Sequence, residues 1–146
     1  MAAALSRIPM LNKRHPERSW RHLVSMPIIY LPLPFIMVMD VVLEIYHRIC
    51  FPLYGISYVP RSRYIRVWDR FRLPYITIWD KIGCAYCGYA NGWINYARKV
   101  ASETEAYWCG IRHRTDAEYI AAEHEDGFVP YGDEVSYRER YFPPRR

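Results

Sequence analysis

Four cysteines and one histidine are the residues of this chain whose types and spacing could do chemistry. Cys84 and Cys87 are separated by two residues and followed by Gly88 and Tyr89, and Cys109 stands four positions before His113. Three thiolates and an imidazole form a Cys3His donor set of the kind that holds structural zinc. The expectation is therefore one zinc ion on Cys84, Cys87, Cys109 and His113, with iron as the alternative metal. The N-terminal residues do not follow the charged, apolar, small-residue order of a secretory leader, so thiolates on a metal or a redox pair are expected in preference to two disulfides. Cys50 is expected as a buried apolar residue, with a role as a further thiolate ligand the alternative.

The stretch between the two cysteine pairs decides whether one ion can be shared. Trp93, Ile94, Ala97, Val100, Ala101 and Trp108 recur with a helical period, and Asn91 stands where an N-cap would. A straight helix from Gly92 to Trp108 would be about 25 Å long and would hold Cys87 and Cys109 too far apart to share an ion. A shared site requires the helix to stop near Ala101 or Ser102, with the following residues returning in extended form. If the helix runs through, Cys84 and Cys87 are left as a dithiol beside a helix N-terminus, whose dipole lowers a thiol pKa. His113 is followed by Thr115-Asp-Ala-Glu118, a capping-box pattern that predicts a short helix to about Glu123.

The six residues Cys84 to Tyr89 resemble the cysteine knuckle of rubredoxins and zinc ribbons. The second Cys-x-x-Cys of a rubredoxin is missing, which weighs against iron electron transfer. Over residues 28 to 114 the combined pattern, Cys84 to Gly92 and Thr104 to His113 with Ile49 to Phe51 before it, resembles a family of uncharacterised bacterial proteins. That resemblance implies a bacterial setting on the cytoplasmic side of the membrane and no particular reaction.

From His22 to Met39 there is no permanently charged side chain, but Pro27, Pro32 and Pro34 interrupt the run. Prolines remove helix hydrogen bonds, so one straight membrane-crossing helix is the lesser reading. Phe35 to about Cys50 reads as a helix that is apolar nearly all round, with Asp40, Glu44, His47 and Arg48 forming a narrow polar stripe. An in-plane helix that turns the stripe to water is expected. Glu44-x-x-His47 has the spacing of a di-iron half-site, but only one such pair exists, so a Glu44 to Arg48 ion pair with His47 at the helix edge is preferred.

Arginine accounts for most of the formal charge of +5, and Arg61, Arg63, Arg66, Arg70 and Arg72 alternate with Tyr64, Trp68 and Phe71. Such a mixture suits anionic headgroups, nucleic acid, or a solvated face with aromatic anchors. The residues assigned to a membrane or partner surface are Trp20, Ile28, Ile29, Tyr30, Leu31, Leu33, Phe35, Arg61, Arg63 and Trp68.

These parts define a mainly α protein: a basic N-terminal arm over 1–21, a single helical domain over 22–124 and an extended C-terminal tail over 125–146. Helices are expected near 35–50, 91–102 and 115–124, with a short one at Ile76 to Ile82 and extended chain around Tyr64 to Trp68. Neither a phosphate-binding glycine loop nor a nucleophile motif is present, which gives an enzyme little support. The function expected is a membrane-peripheral accessory or adaptor protein with a structural zinc site, on the cytoplasmic side and bound to lipid or to a membrane complex. A redox protein and a zinc-dependent nucleic-acid binder are the alternatives.

Overall fold

A computed structural model describes residues 19–144. Most of the basic arm, residues 1–18, lies outside them. The described chain is mainly helical and contains no strand, only an isolated bridge between Ile111 and Val129. It forms two compact units, which meet in sequence at Arg98 and Lys99.

The first unit begins with α1 (Ser19–Tyr30) and α2 (Leu33–Tyr54). Pro27 is tolerated inside α1, whereas Pro32 and Pro34 fall together and withdraw two neighbouring amide donors, so the helix breaks at Leu31 and Pro32. One carbonyl near the break, that of Ile29, accepts a hydrogen bond from the Tyr86 hydroxyl at 2.7 Å. Beyond it α2 runs for 22 residues and ends at Gly55. The left-handed φ of +69° at Gly55 lets the Ile56 amide reach the Phe51 carbonyl at 2.9 Å, a glycine C-cap.

A crossover of irregular chain, residues 55–77, leads to α3 (Ile78–Trp108). Thr77 and Asp80 start α3 as a reciprocal cap: the Thr77 amide donates to the Asp80 carboxylate, and the Asp80 amide donates to the Thr77 hydroxyl, both at 3.2 Å. Partners advance in step along α2 and α3, from Asp40 with Tyr89 to Glu44 and His47 with Tyr96. The two helices are therefore parallel. The crossover runs back along them, held by Val59 to His47 and Arg61 to Asp40.

Gly88 and Gly92 explain how the crossover comes so close to α3. A Cβ at Gly92 would stand 2.7 Å from the Tyr64 carbonyl oxygen and 2.8 Å from Ile65 Cα, and one at Gly88 would collide with the Arg66 carbonyl. The two glycines, four apart, form a smooth track on which backbone lies against backbone. Gly88 thus serves a close approach within a helix, not a tight turn between cysteines.

The expected helix over 91–102 is the middle of a 31-residue helix, and Ser102 does not end it. Ser102 is buried, and the Thr104 hydroxyl donates to the Val100 carbonyl at 2.9 Å. Each polar side chain is thus accommodated without breaking the helix.

In the second unit, from Lys99 onward, the chain turns at Gly110 with a φ of +60°. Its core is Val100, Phe128 and Val129 with the buried carboxylate of Glu125. The helix expected over 115–124 is absent: Asp116 accepts the amides of Glu118 and Tyr119, while Glu125 accepts from the Tyr119 hydroxyl at 2.6 Å and the Ala122 amide at 3.2 Å. Side-chain bonds to the backbone here replace the helical ladder, leaving only a 3-10 turn at Glu123–Gly127. The tail expected to be extended carries α4 (Glu134–Tyr141), begun by Asp133, whose carboxylate accepts the Ser136 amide at 3.0 Å.

Candidate membrane face and the polar cluster beneath it

Helix α2 is inverted relative to a water-soluble helix. Asp40, Glu44, His47 and Phe51 face the protein, and Phe35, Met37, Val38, Met39, Val41, Val42, Ile45, Ile49 and Leu53 are exposed. Of the stripe expected to meet water, Asp40, Glu44 and His47 are instead folded inward onto α3 and the crossover, while Arg48 remains exposed. The reason is the supply of partners there, since Tyr89, Tyr96, Tyr58, Arg61 and the Val59 amide each bond one of its members.

His47 is fully buried, so its protonation follows from its neighbours. The Val59 amide donates to Nε2 at 3.1 Å. A bare Nε2 places the neutral ring's hydrogen on Nδ1, which donates to the Tyr96 hydroxyl at 2.8 Å. Tyr96 passes the sequence on, donating to Glu44 at 2.9 Å, and Arg48 closes it with a 2.7 Å ion pair to the same carboxylate. The expected Glu44 to Arg48 pair is present, but His47 stands in the core, stacked on Tyr58 with ring centroids 4.3 Å apart.

Burial holds the His47 pKa below the ordinary 6.5. Burial alone would raise that of Glu44, but the bonds from Tyr96, Arg48 and Tyr58 outweigh it and hold the carboxyl low. Desolvation and the bond to Asp40 push Tyr89 up to about 12, and desolvation with the Glu44 bond raises Tyr96 further still.

The exposed apolar face continues through α1. The stretch Leu23–Tyr54 has a mean hydropathy of 2.1 in its most apolar window, of which 6% is buried, and is long and apolar enough to cross a membrane. Of the residues assigned to this surface, Trp20, Ile28, Ile29, Leu31, Phe35 and Trp68 are exposed large hydrophobics. Tyr30 and Leu33 are half-buried, Arg63 is exposed, and Arg61 is taken by Asp40. The Arg21 guanidinium lies 5.4 Å from the Trp20 ring centroid, at the start of the face. Arg63, Arg66, Arg70 and Arg72 of the crossover are exposed.

The cysteines do not converge. Cys84 and Cys87 lie inside α3, and Cys109 follows its last residue. With no break between them, a rise of about 1.5 Å per residue puts Cys87 and Cys109 roughly 30 Å apart. The four residues expected to share one ion, Cys84, Cys87, Cys109 and His113, are thus spread along and beyond one continuous helix. Among the described residues no three or more His, Cys, Asp or Glu side chains are grouped to hold a metal ion. Nor do Cys84 and Cys87 sit beside a helix N-terminus. That end is at Ile78, more than a turn earlier, beyond the reach of the terminal dipole.

His113 instead has neighbours in its own unit. Its Nε2 is 3.8 Å from Glu105, whose other carboxylate oxygen takes the His124 ring at 2.7 Å. The His113 amide donates to Glu125 at 3.2 Å. The Tyr119 hydroxyl beside it is the first cause of the low pKa of Glu125. His124 and Glu105 were invisible as partners in the sequence because their contact depends on the irregular chain between them.

No family model, no curated protein and no solved structure matches the chain.

Proposed function

We propose that this protein is a membrane-bound accessory or adaptor protein whose α1 and α2 lie in the plane of the bilayer. The observation that carries this reading is the inverted helix α2, apolar outward and polar inward. In water, so large an apolar surface would drive association. In lipid it needs no partner.

The parallel course of α2 and α3 favours the in-plane arrangement over a crossing. A helix of 22 residues is roughly 33 Å long, enough to span the hydrocarbon core. Crossing would carry the return segment back through the same depth, because Val59 and Arg61 are bonded to the middle of α2. Irregular backbone and the exposed Arg63 and Arg66 would then stand in hydrocarbon, where unsatisfied peptide groups and charges are costly. An in-plane α2 leaves the crossover on the water side, with its arginines able to meet anionic headgroups. Those headgroups favour the cytoplasmic leaflet.

Co-sedimentation of the full chain with phosphatidylcholine vesicles containing phosphatidylglycerol tests the reading. Binding is expected, with Val38→Glu together with Val42→Glu reducing it at least tenfold while the helical circular dichroism signal is kept. A chain that stays soluble and monomeric without detergent and ignores vesicles would overturn it.

A further inference from the structure

We propose that the cleft at the α1–α2 break is a binding site for one acyl chain of a phospholipid, a proposal that rests on the in-plane membrane reading and gives it a specific ligand. The cleft has a volume of about 390 Å³ and is lined by Leu31, Pro32, Phe35, Ile36, Met39 and Trp93. It lies at the break between α1 and α2, with Leu31 and Pro32 of the turn and Phe35, Ile36 and Met39 of α2 on its wall.

Three features select the occupant. The first is chemistry: Trp93 alone among the lining side chains has a nitrogen or oxygen, and its Nε1 is buried. A water molecule needs two or more polar partners to settle, and these side chains offer it at most the single N–H of Trp93. The second is position. Leu31, Phe35 and Met39 belong both to the cleft and to the exposed apolar face, so the mouth opens where lipid would lie. The third is shape. Phe35 and Met39 stand one turn apart on α2, Leu31 lies at the break before them, and half-buried Ile36 and Trp93 complete the lining. An apolar cleft that opens sideways onto the apolar face can take in a linear hydrocarbon lying along that face.

Purified full-length chain in exchanged detergent gives the test, with bound phospholipid counted by extraction and mass spectrometry. About one phospholipid per chain is expected. Ile36→Phe and, separately, Ile36→Trp should each lower retention at least fivefold while vesicle co-sedimentation stays within twofold of the unsubstituted protein. In a variant keeping Trp93 as its sole tryptophan, lipids brominated in mid-chain should quench its fluorescence more than lipids brominated at the headgroup. A chain that binds vesicles yet retains no phospholipid, or retains it equally in both variants, overturns the cleft assignment and leaves the membrane reading standing. A chain that ignores vesicles overturns both.

Discussion

Replacing Gly92 with alanine tests the backbone track on α3, because two opposing effects act there and their sign is decided by the crossover. On an open helix surface, glycine to alanine stabilises by about 1 kcal/mol, through helix propensity. Gly92 is not open. Its new Cβ would meet the Tyr64 carbonyl oxygen at 2.7 Å and Ile65 Cα at 2.8 Å, where ordinary contact begins near 3.4 Å. Backbone must therefore move by more than half an ångström. It is fixed on the other side by Val59 to His47 and Arg61 to Asp40, so it cannot yield freely. Overpacking of this kind costs about 1–3 kcal/mol, occasionally more. The net expectation is a loss of about 0–2 kcal/mol, read as a fall in Tm of up to roughly 8 °C for a chain of this size and as a clear deficit against an open-site control. Gly83 supplies the control in the same helix, since its Cβ would meet only the Tyr30 hydroxyl at 3.8 Å. Gly83→Ala should gain about 1 kcal/mol. Thermal unfolding followed by circular dichroism in mild detergent reads all three proteins. A Gly92→Ala protein as stable as Gly83→Ala would refute the close approach.

Tyr96→Phe removes the hydroxyl between His47 and Glu44 and should cost about 1–3 kcal/mol in denaturant unfolding, because a buried ring nitrogen is left unpaired; an unchanged midpoint would count against the chain of bonds. Acid should destabilise the first unit. The lowered pKa of His47 gives stability that is full above 6.5 and lost as pH falls toward its folded value, and the lowered pKa of Glu44 adds a further loss below 4.5. A Tm that is flat from pH 7 to pH 4.5 would contradict the first, and one that stays flat on down to pH 2.5 would contradict both. Alkali acts in the opposite sense through Tyr89, raised to about 12, and through Tyr96: stability present below pH 10 falls as unfolded tyrosines ionise, and a Tm profile from pH 9 to 12 reads it. Of the four cysteines, exposed Cys87 and Cys109 should react with a thiol reagent before half-buried Cys50 and Cys84, at rates that a chelator does not change; chelator-dependent release of three thiols would restore the shared metal site.

The helical class and the position of α2 were legible because its polar residues share one stripe and Gly55 ends it, though the helix runs through Pro52, which was expected to close it. The proline break was legible from Pro32 and Pro34. What failed were inferences about direction and convergence. The polar stripe has the same spacing whether it faces water or protein, and only the tyrosines of α3, some fifty positions away, decide between them. Cys84-x-x-Cys87-Gly88 reads as a metal knuckle because glycine permits turns. In a helix the same glycine permits a neighbouring backbone, and sequence spacing does not separate these uses. The cap of α3 by Thr77 and Asp80 could have been found from their i, i+3 spacing, as could that of α4 by Asp133. His124 beside Glu105 had no such signal.

A helix apolar on all sides has no reason to present one face to its neighbour when its surroundings are also apolar, since burying leucine against protein or lipid gains nearly the same. Asp40, Glu44 and His47 remove that ambiguity. Any rotation of α2 about its axis would strip Arg61, Tyr89 and Tyr96 of their partners and carry two carboxylates toward hydrocarbon. The cost of an unpaired buried polar group then sets the rotation and register of the helix, even where the net stabilisation from the bonds is modest. On this argument the polar cluster is the element that makes an outwardly apolar helix a defined part of the fold. Apolar substitutions on its outer face should accordingly be tolerated, while those at Asp40 or His47 should not.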